Sequence, residues 1–328
     1  MAPRLSSHRV LPTTKLPPVS RTGRQLLPFL LLAAFLLGSC VSVRPIVKIG
    51  VLAPFEGLYR RTGYTVLEAV RRAIVDDSVA HPVAFDLLPL ALDDSANPAA
   101  ARRSAEKLLA DPAVGAVVGP LTPALAAATG DLLAPAGVAW RTPFALNWTT
   151  GRFESPAESG WAEAQVAAAA AHLQAQGVER LALAGVDAGW PPHDAAAWSL
   201  VAGMPAGVVA SAGEVGPGDG LFFAGPADEA ARFLDALWAR RPEIPAVVTL
   251  AGGDPILRER LQIVGKIDWM AWESLEYNRW AGTEDPAMIP AHTTYLATLD
   301  LLHQLRGGSP APLNGQVIFV SPVSGVTR

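Results

Sequence analysis

The sequence predicts an α/β protein built as two successive lobes, each a parallel sheet flanked by helices. Three observations carry that expectation. From Ile46 onward, short β-branched or apolar runs alternate with longer Ala-rich stretches of helical character, as in repeated βα units. The alternation breaks once, across polar and turn residues between Asn147 and Ser159, and then resumes. With 328 residues, half of them hydrophobic and 17% charged, the chain is long and apolar enough for about two domains with substantial cores.

The elements follow in order. Ile46-Val47-Lys48-Ile49-Gly50-Val51-Leu52-Ala53 reads as a buried strand, because apolar runs bounded by turn residues suit the middle of a parallel sheet. Helical spacing covers Tyr64 to Val79, and a second strand covers Val83 to Leu92. Asn97 followed by Pro98 predicts a capped helix start, running to Ala110. Val114 to Val118 is the third strand, Pro123 to Ala134 the third helix and Val138 to Thr142 the fourth strand. After the break come a helix over Ala162 to Gln176, a strand over Arg180 to Ala184 and a short helix over Asp194 to Val201. Strands Gly207 to Ala210 and Gly220 to Ala224 precede a helix over Asp228 to Arg240. Strand Ala246 to Leu250, helix Pro255 to Val264 and strand Ile267 to Trp272 follow. A helix over Ala291 to Leu305 and a strand over Gln316 to Val320 close the series. Parallel strands joined through helices require right-handed crossovers.

A mean hydropathy of +0.27 asks whether the chain spans a membrane. The first forty residues answer. Arg4, Arg9, Lys15, Arg21 and Arg24 are basic, and no acidic residue occurs before Glu56. The apolar run Leu26 to Leu37 is shorter than the ~20 residues a spanning helix needs. A basic stretch, a short apolar stretch and small residues make a secretory signal peptide of residues 1–39. Leu37-Gly38-Ser39-Cys40 resembles a bacterial lipobox. That resemblance implies cleavage before Cys40, diacylglycerol on its thiol and a protein held at a membrane outside the cytoplasm. Loss of residues 1–39 removes five basic and no acidic side chains, carrying the net charge from −4 to −9. An acidic chain argues against a nucleic-acid partner, which requires a basic face. The single cysteine excludes both a disulfide framework and a cysteine-ligated zinc site.

The chain is also similar to the extracytoplasmic substrate-binding proteins of ABC importers, of the leucine-binding, type 1 periplasmic-binding kind. Val47-Lys48-Ile49-Gly50-Val51-Leu52-Ala53-Pro54 resembles the family's opening strand, with Gly57 and Gly63 in the loop that follows. Leu92-Asp93-Asp94-Ser95-Ala96-Asn97-Pro98 resembles its turn into the second helix. Val117-Val118-Gly119-Pro120-Leu121-Thr122, then Ala134-Pro135-Ala136-Gly137-Val138 and Thr142-Pro143, follow its next strand, helix end and strand end. The resemblance implies two Rossmann-like lobes joined by a hinge, closing on a small-molecule ligand, with ABC permease subunits as partners. It implies an anchor linker at 40–45 and a first lobe at 46–150 with a return segment at about 285–310. The second lobe would be 151–284, completed by a C-terminal strand within about 311–328.

Ligands of open α/β sheets sit beyond the carboxyl ends of the strands. That rule selects the loops 55–59, 119–122, 142–148, 187–190, 251–254 and 272–273. Tyr59, Thr122, Thr142, Ala145, Asn147, Trp190 and Asp254 are therefore the candidate ligand-binding residues, and Cys40 the candidate lipid attachment. The resemblance assigns Thr122 and Thr142 to a ligand carboxylate, Asp254 to an ammonium group and Trp190 to a cleft wall. Each has a structural alternative: the threonines and Asp254 as helix caps, Trp190 as core. Pro123 and Leu146 stand where the family commonly has Ser and Thr, which thins the donors for a carboxylate. Asp93-Asp94 reads as turn capping. Trp148, Trp269, Trp272 and Trp280 suit an aromatic cleft or a packed hinge. The six histidines show no metal spacing, no cofactor is expected, and no G-x-S-x-G, P-loop, G-x-G-x-x-G or H-E-x-x-H motif occurs. The expectation is an amino-acid-like, amide or aromatic ligand bound without catalysis. A degenerate binding domain serving as an envelope sensor or interaction module is the alternative.

Overall fold

The computed structural model describes residues 44–186, 189–249, 254–263, 265–273, 286–309 and 312–321. The expected signal peptide, Cys40, Asp187 and Trp280 lie outside them, as do the side chains of Trp272 and Glu273.

The first sheet has four parallel strands: β1 (Ile46–Ala53), β2 (Asp86–Asp93), β3 (Val114–Val118) and β4 (Ala139–Arg141). Their spatial order is β2-β1-β3-β4. β1 is central and pairs on both edges, with Val51 opposite Ala91 and Val118. This explains its apolar run, since Ile49, Val51, Leu52 and Ala53 are fully buried. The flanking helices are α1 (Arg60–Ala80), α2 (Pro98–Leu109) and α3 (Pro123–Leu133). Asn97 caps α2 as expected, its Oδ1 accepting from the backbone N–H of Ala99 at 3.0 Å and Ala100 at 3.1 Å. A short antiparallel ribbon, β5 (Leu146–Asn147) with β6 (Arg152–Phe153), occupies the break in the sequence pattern.

The second sheet contains β7 (Arg180–Ala184), β8 (Ala206–Val208), β9 (Asp219–Phe223), β10 (Ala246–Val248), β11 (Ile267–Glu273) and β12 (Gln316–Val320). Its order is β12-β11-β10-β9-β7-β8. Helices α4 (Gly160–Gln174), α5 (Ala195–Ala202), α6 (Ala227–Trp238) and α7 (Pro255–Arg260) belong to it. The last helix, α8 (Ile289–Leu305), packs instead on α1, β3 and β4 of the first lobe. Its ties there are polar as well as apolar. Arg141 Nε meets Asp300 Oδ2 at 2.6 Å, and Tyr295 donates its hydroxyl to Asp76 Oδ2 at 3.1 Å.

One edge strand departs from the parallel arrangement. The second sheet is not wholly parallel, because β12 runs antiparallel to β11, with Ala271 opposite Ile318. A parallel neighbour needs a crossover lying on its own sheet. Here the chain reaches β12 from α8, on the other lobe, so that constraint is lifted and the edge strand enters in the opposite direction. Among the described residues no helix is long and apolar enough to cross a membrane.

Candidate functional site

In each sheet the strand order reverses at one place, between β1 and β3 in the first and between β7 and β9 in the second. Crevices form beyond the strand ends at such points. The loops leaving β1, β3 and β9 meet there, and the geometry follows from how each is held.

The loop after β1 is fixed by Asp93, whose Oδ1 accepts from the backbone N–H of Phe55 at 2.7 Å and Glu56 at 3.0 Å. Burial opposes its ionisation, but these hydrogen bonds and those from Ser95 hold its carboxyl below the usual range. Asp94 is fully buried and turns away, with Oδ1 accepting from Ala96 N–H at 2.8 Å. The pair therefore shapes the turn, as the sequence suggests, and does not face a ligand.

At the end of that loop, three residues of the first lobe reach the second. Tyr59 donates its hydroxyl to Asp228, in the first turn of α6. Burial and this bond raise the phenol well above its ordinary pKa, so it remains a neutral donor. Burial works against Asp228, yet Tyr59 and Arg232 together hold its carboxyl below the usual range. Thr62 Oγ1 donates to Asp254 Oδ2 at 2.5 Å, while Asp254 Oδ1 accepts from Ile256 N–H at 2.8 Å and caps α7. Burial raises the Asp254 carboxyl above the ordinary value. Arg61 and Glu259 add a solvent-exposed ion pair at 2.6 Å.

Between these contacts lies a cavity of about 270 Å³. Pro54, Tyr59, Thr62, Leu121 and Thr122 form one wall, and Pro226, Asp228, Glu229 and Asp254 the other. Deeper in the cleft, a void of only about 20 Å³ is bounded by Thr122, Pro123, Phe144, Trp161, Gln165 and Trp190. Aromatic rings fill the space around it. Trp161 and Trp190 are centred 5.0 Å apart, Phe144 meets Trp161 edge-on at 5.0 Å, and Phe222 lies 5.9 Å from Trp190. Gly189 sits directly on the start of α3: a Cβ there would come within 2.0 Å of the Pro123 carbonyl carbon.

Tyr59, Thr122 and Asp254 thus come together around the larger cavity, and Thr122 and Trp190 around the inner void. Thr122 precedes α3 without a side-chain capping bond. Trp190 is 6% exposed, packed among aromatic rings. Thr142, Ala145 and Asn147 line neither space. Thr142 is buried with its hydroxyl unpaired. Ala145 carbonyl accepts from Glu154 N–H at 2.9 Å. Asn147 belongs to the ribbon, where its Oδ1 accepts from Thr149 and Thr150 N–H and its amide donates to Glu154 at 2.6 Å. Trp269 is core.

Asp228, Glu229, Thr62 and Trp161 were not among the candidates. The post-strand rule would have reached the first two, since acidic residues directly after a strand and Gly225-Pro226 mark a helix start. No group of three or more metal-ligating side chains is positioned to hold an ion among the described residues.

No family model matches the chain, and no curated protein does. Solved structures do. A leucine-binding protein LivK from Thermotoga maritima aligns over 80% of this chain and 84% of its own, with TM-score 0.58 and 17% identity. A periplasmic binding protein type 1 from Bordetella pertussis gives 80% and 84%, TM-score 0.57 and 18% identity. A solute-binding protein of an ABC transporter from R. palustris, in complex with 4-hydroxybenzoate, gives 80% and 82%, TM-score 0.55 and 16% identity.

The fold is that of the type 1 periplasmic binding proteins. In this fold the two lobes are the halves described above, and the inter-lobe cavity occupies the cleft between them. The return of α8 to the first lobe and of β12 to the second makes the chain cross between lobes three times.

Proposed function

We propose that the chain is an extracytoplasmic solute-binding protein of an ABC importer, held at the bacterial membrane through a lipid on Cys40. The observation that carries the reading is the cavity of about 270 Å³ between the lobes, walled by Tyr59, Thr62 and Thr122 on one side and Asp228 and Asp254 on the other. A mostly apolar, concave space with a few convergent polar groups is what a small-molecule site requires. Because both lobes supply its walls, an occupant would favour the closed arrangement by its differential contacts, and the permease subunits would distinguish closed from open. A leucine-binding protein and a 4-hydroxybenzoate-bound solute-binding protein of the same fold support an amino-acid-like, amide or aromatic ligand. No catalytic step and no nucleic-acid partner enter this reading. The test is a thermal-shift screen of the purified protein against amino acids, amides, short peptides and aromatic acids. A saturable rise in melting temperature supports it, and no rise with any of them counts against it.

One observation favours a second reading, a binding-like domain retained as an envelope sensor or interaction module. Direct protein contacts close the inner cleft: Gly189 on Pro123, and Trp161 against Phe144. Copurification of a permease and ATPase pair with the membrane-extracted protein supports transport. Copurification of a different envelope protein, without them, supports the second reading.

A further inference from the structure

Two features of the cleft bear on the class of ligand it takes. The larger cavity is lined by three acidic side chains, Asp228, Glu229 and Asp254, and by no lysine, arginine or histidine. Asp228 is already engaged by Tyr59 and Arg232. Glu229 is exposed and forms no salt bridge among the described residues. Asp254 accepts from Thr62 and Ile256, and an ionised carboxylate has about four acceptor sites, so capacity remains. A cation is favoured in such a space and an uncompensated carboxylate is opposed.

The second feature is independent. The inner void adjoins the cavity, since Leu121, Thr122 and Pro226 line both. Trp161 and Trp190 border it, are 0% and 6% exposed, and each has an indole Nε1–H buried without a partner. An indole nitrogen only donates, so two such groups call for an acceptor. At about 20 Å³ the void has room for roughly one oxygen-sized group. A carboxylate carries two oxygens and a full charge, with only neutral donors here. Pro123 contributes no N–H at the start of α3, where an anion would otherwise find one.

We propose, building on the solute-binding reading, that the ligand is a small apolar ammonium compound with one neutral acceptor oxygen, an amino-acid amide or the corresponding amino alcohol, and not a free amino acid. Its ammonium would face Glu229 and Asp254, its apolar body the prolines and leucines, and its oxygen the indole N–H groups.

Calorimetric titration of the purified protein with leucinamide, leucinol, leucine, 3-methylbutylamine and 4-methylpentanoate tests this, with the phenylalanine series in parallel. The amide and the alcohol should bind at least about tenfold more tightly than the amino acid, because a site built for a neutral acceptor leaves the charged oxygen unmatched. Glu229→Gln should weaken leucinamide, leucinol and 3-methylbutylamine. Trp161→Phe, which keeps an aromatic ring of smaller size and deletes the donor, should weaken leucinamide and leucinol while leaving 3-methylbutylamine unchanged. Leucine or 4-methylpentanoate binding as tightly as leucinamide overturns the ligand class and leaves the solute-binding reading standing. Equal losses for leucinamide, leucinol and 3-methylbutylamine on Trp161→Phe overturn the indole assignment. Absence of binding by every compound, together with a negative screen, removes the solute-binding reading and this proposal with it.

Discussion

Asp94 offers a quantitative test of how the rim of the cleft is built. Its side chain is fully buried; Oδ1 accepts from Ala96 N–H at 2.8 Å, and Oδ2 is buried without a partner. Burial pushes the carboxyl up to about 7 from 3.8; the Ala96 hydrogen bond pulls the other way, and the neighbouring Asp93 charge adds to the rise. The folded protein therefore retains a proton that the unfolded chain gives up near pH 4. Between those values the native state binds more protons, so stability falls as pH rises, and the contribution is complete only below the unfolded value. A rise of roughly three units, at about 1.4 kcal/mol each, sets a ceiling of about 4 kcal/mol on the stability lost by pH 8. Asparagine in place of Asp94 keeps the acceptor for Ala96 and cannot ionise. Asp94→Asn should thus remove this loss: its advantage over wild type grows as pH rises from 4 to 8, towards that ceiling. Urea denaturation of both proteins at one-unit pH intervals measures it, with other titrating groups cancelling in the difference. Parallel stability curves for the two proteins, or a variant less stable at pH 8 than at pH 4 relative to wild type, would refute the reasoning.

Gly189→Ala places a Cβ 2.0 Å from the Pro123 carbonyl carbon, so the lobes should part; small-angle scattering should show a larger radius of gyration, and an unchanged radius rejects the contact. Asp300→Ala leaves Arg141 without its 2.6 Å partner in a mostly buried setting. It should cost about 3 kcal/mol in urea unfolding, and a loss below about 1 kcal/mol would mean that α8 is not held by this pair. Cys40→Ala should release the protein from washed membranes into the soluble fraction, and unchanged membrane retention would sink the lipid-anchor proposal.

Much of the fold was legible because its determinants are local. Val114 to Val118, Arg180 to Ala184 and Gln316 to Val320 were read with their observed bounds, each an apolar run cut off by turn residues. The first helix begins at Arg60, four residues before its expected start, because Arg60 and Arg61 are exposed and leave no apolar mark at its N-terminus. The second strand starts at Asp86 and not Val83, the residues before it forming a bend. The direction of β12 was beyond reach, since the apolar pattern of a strand is the same in either sense. The site divides similarly. The rule of strand ends located Tyr59, Thr122 and Asp254, which are loop residues whatever the lobes do. Asp228, just past a strand end, was within reach of the same rule, whereas Thr62 and Trp161 gain their place only when distant segments meet, and nothing in their immediate neighbours records that meeting.

The filled inner cleft and the acidic outer cavity are physically linked. A helix start exposes N–H groups that need a partner, and an apolar ring laid over them would leave them unsatisfied. At α3 the first position is Pro123, which has no N–H to satisfy. Gly189 can therefore lie against its backbone, and the adjoining Trp190 can pack on Trp161, with one backbone donor fewer to strand. Outward of that space, where α6 begins, lies the cavity walled by Tyr59, Thr62 and Asp254. The first turn of α6 carries Asp228 and Glu229, which suit the positive end of their own helix and also set the sign of the remaining cavity. The proline at α3 thus removes one anion-binding donor from the inner space, while α6 brings its own carboxylates to the outer cavity.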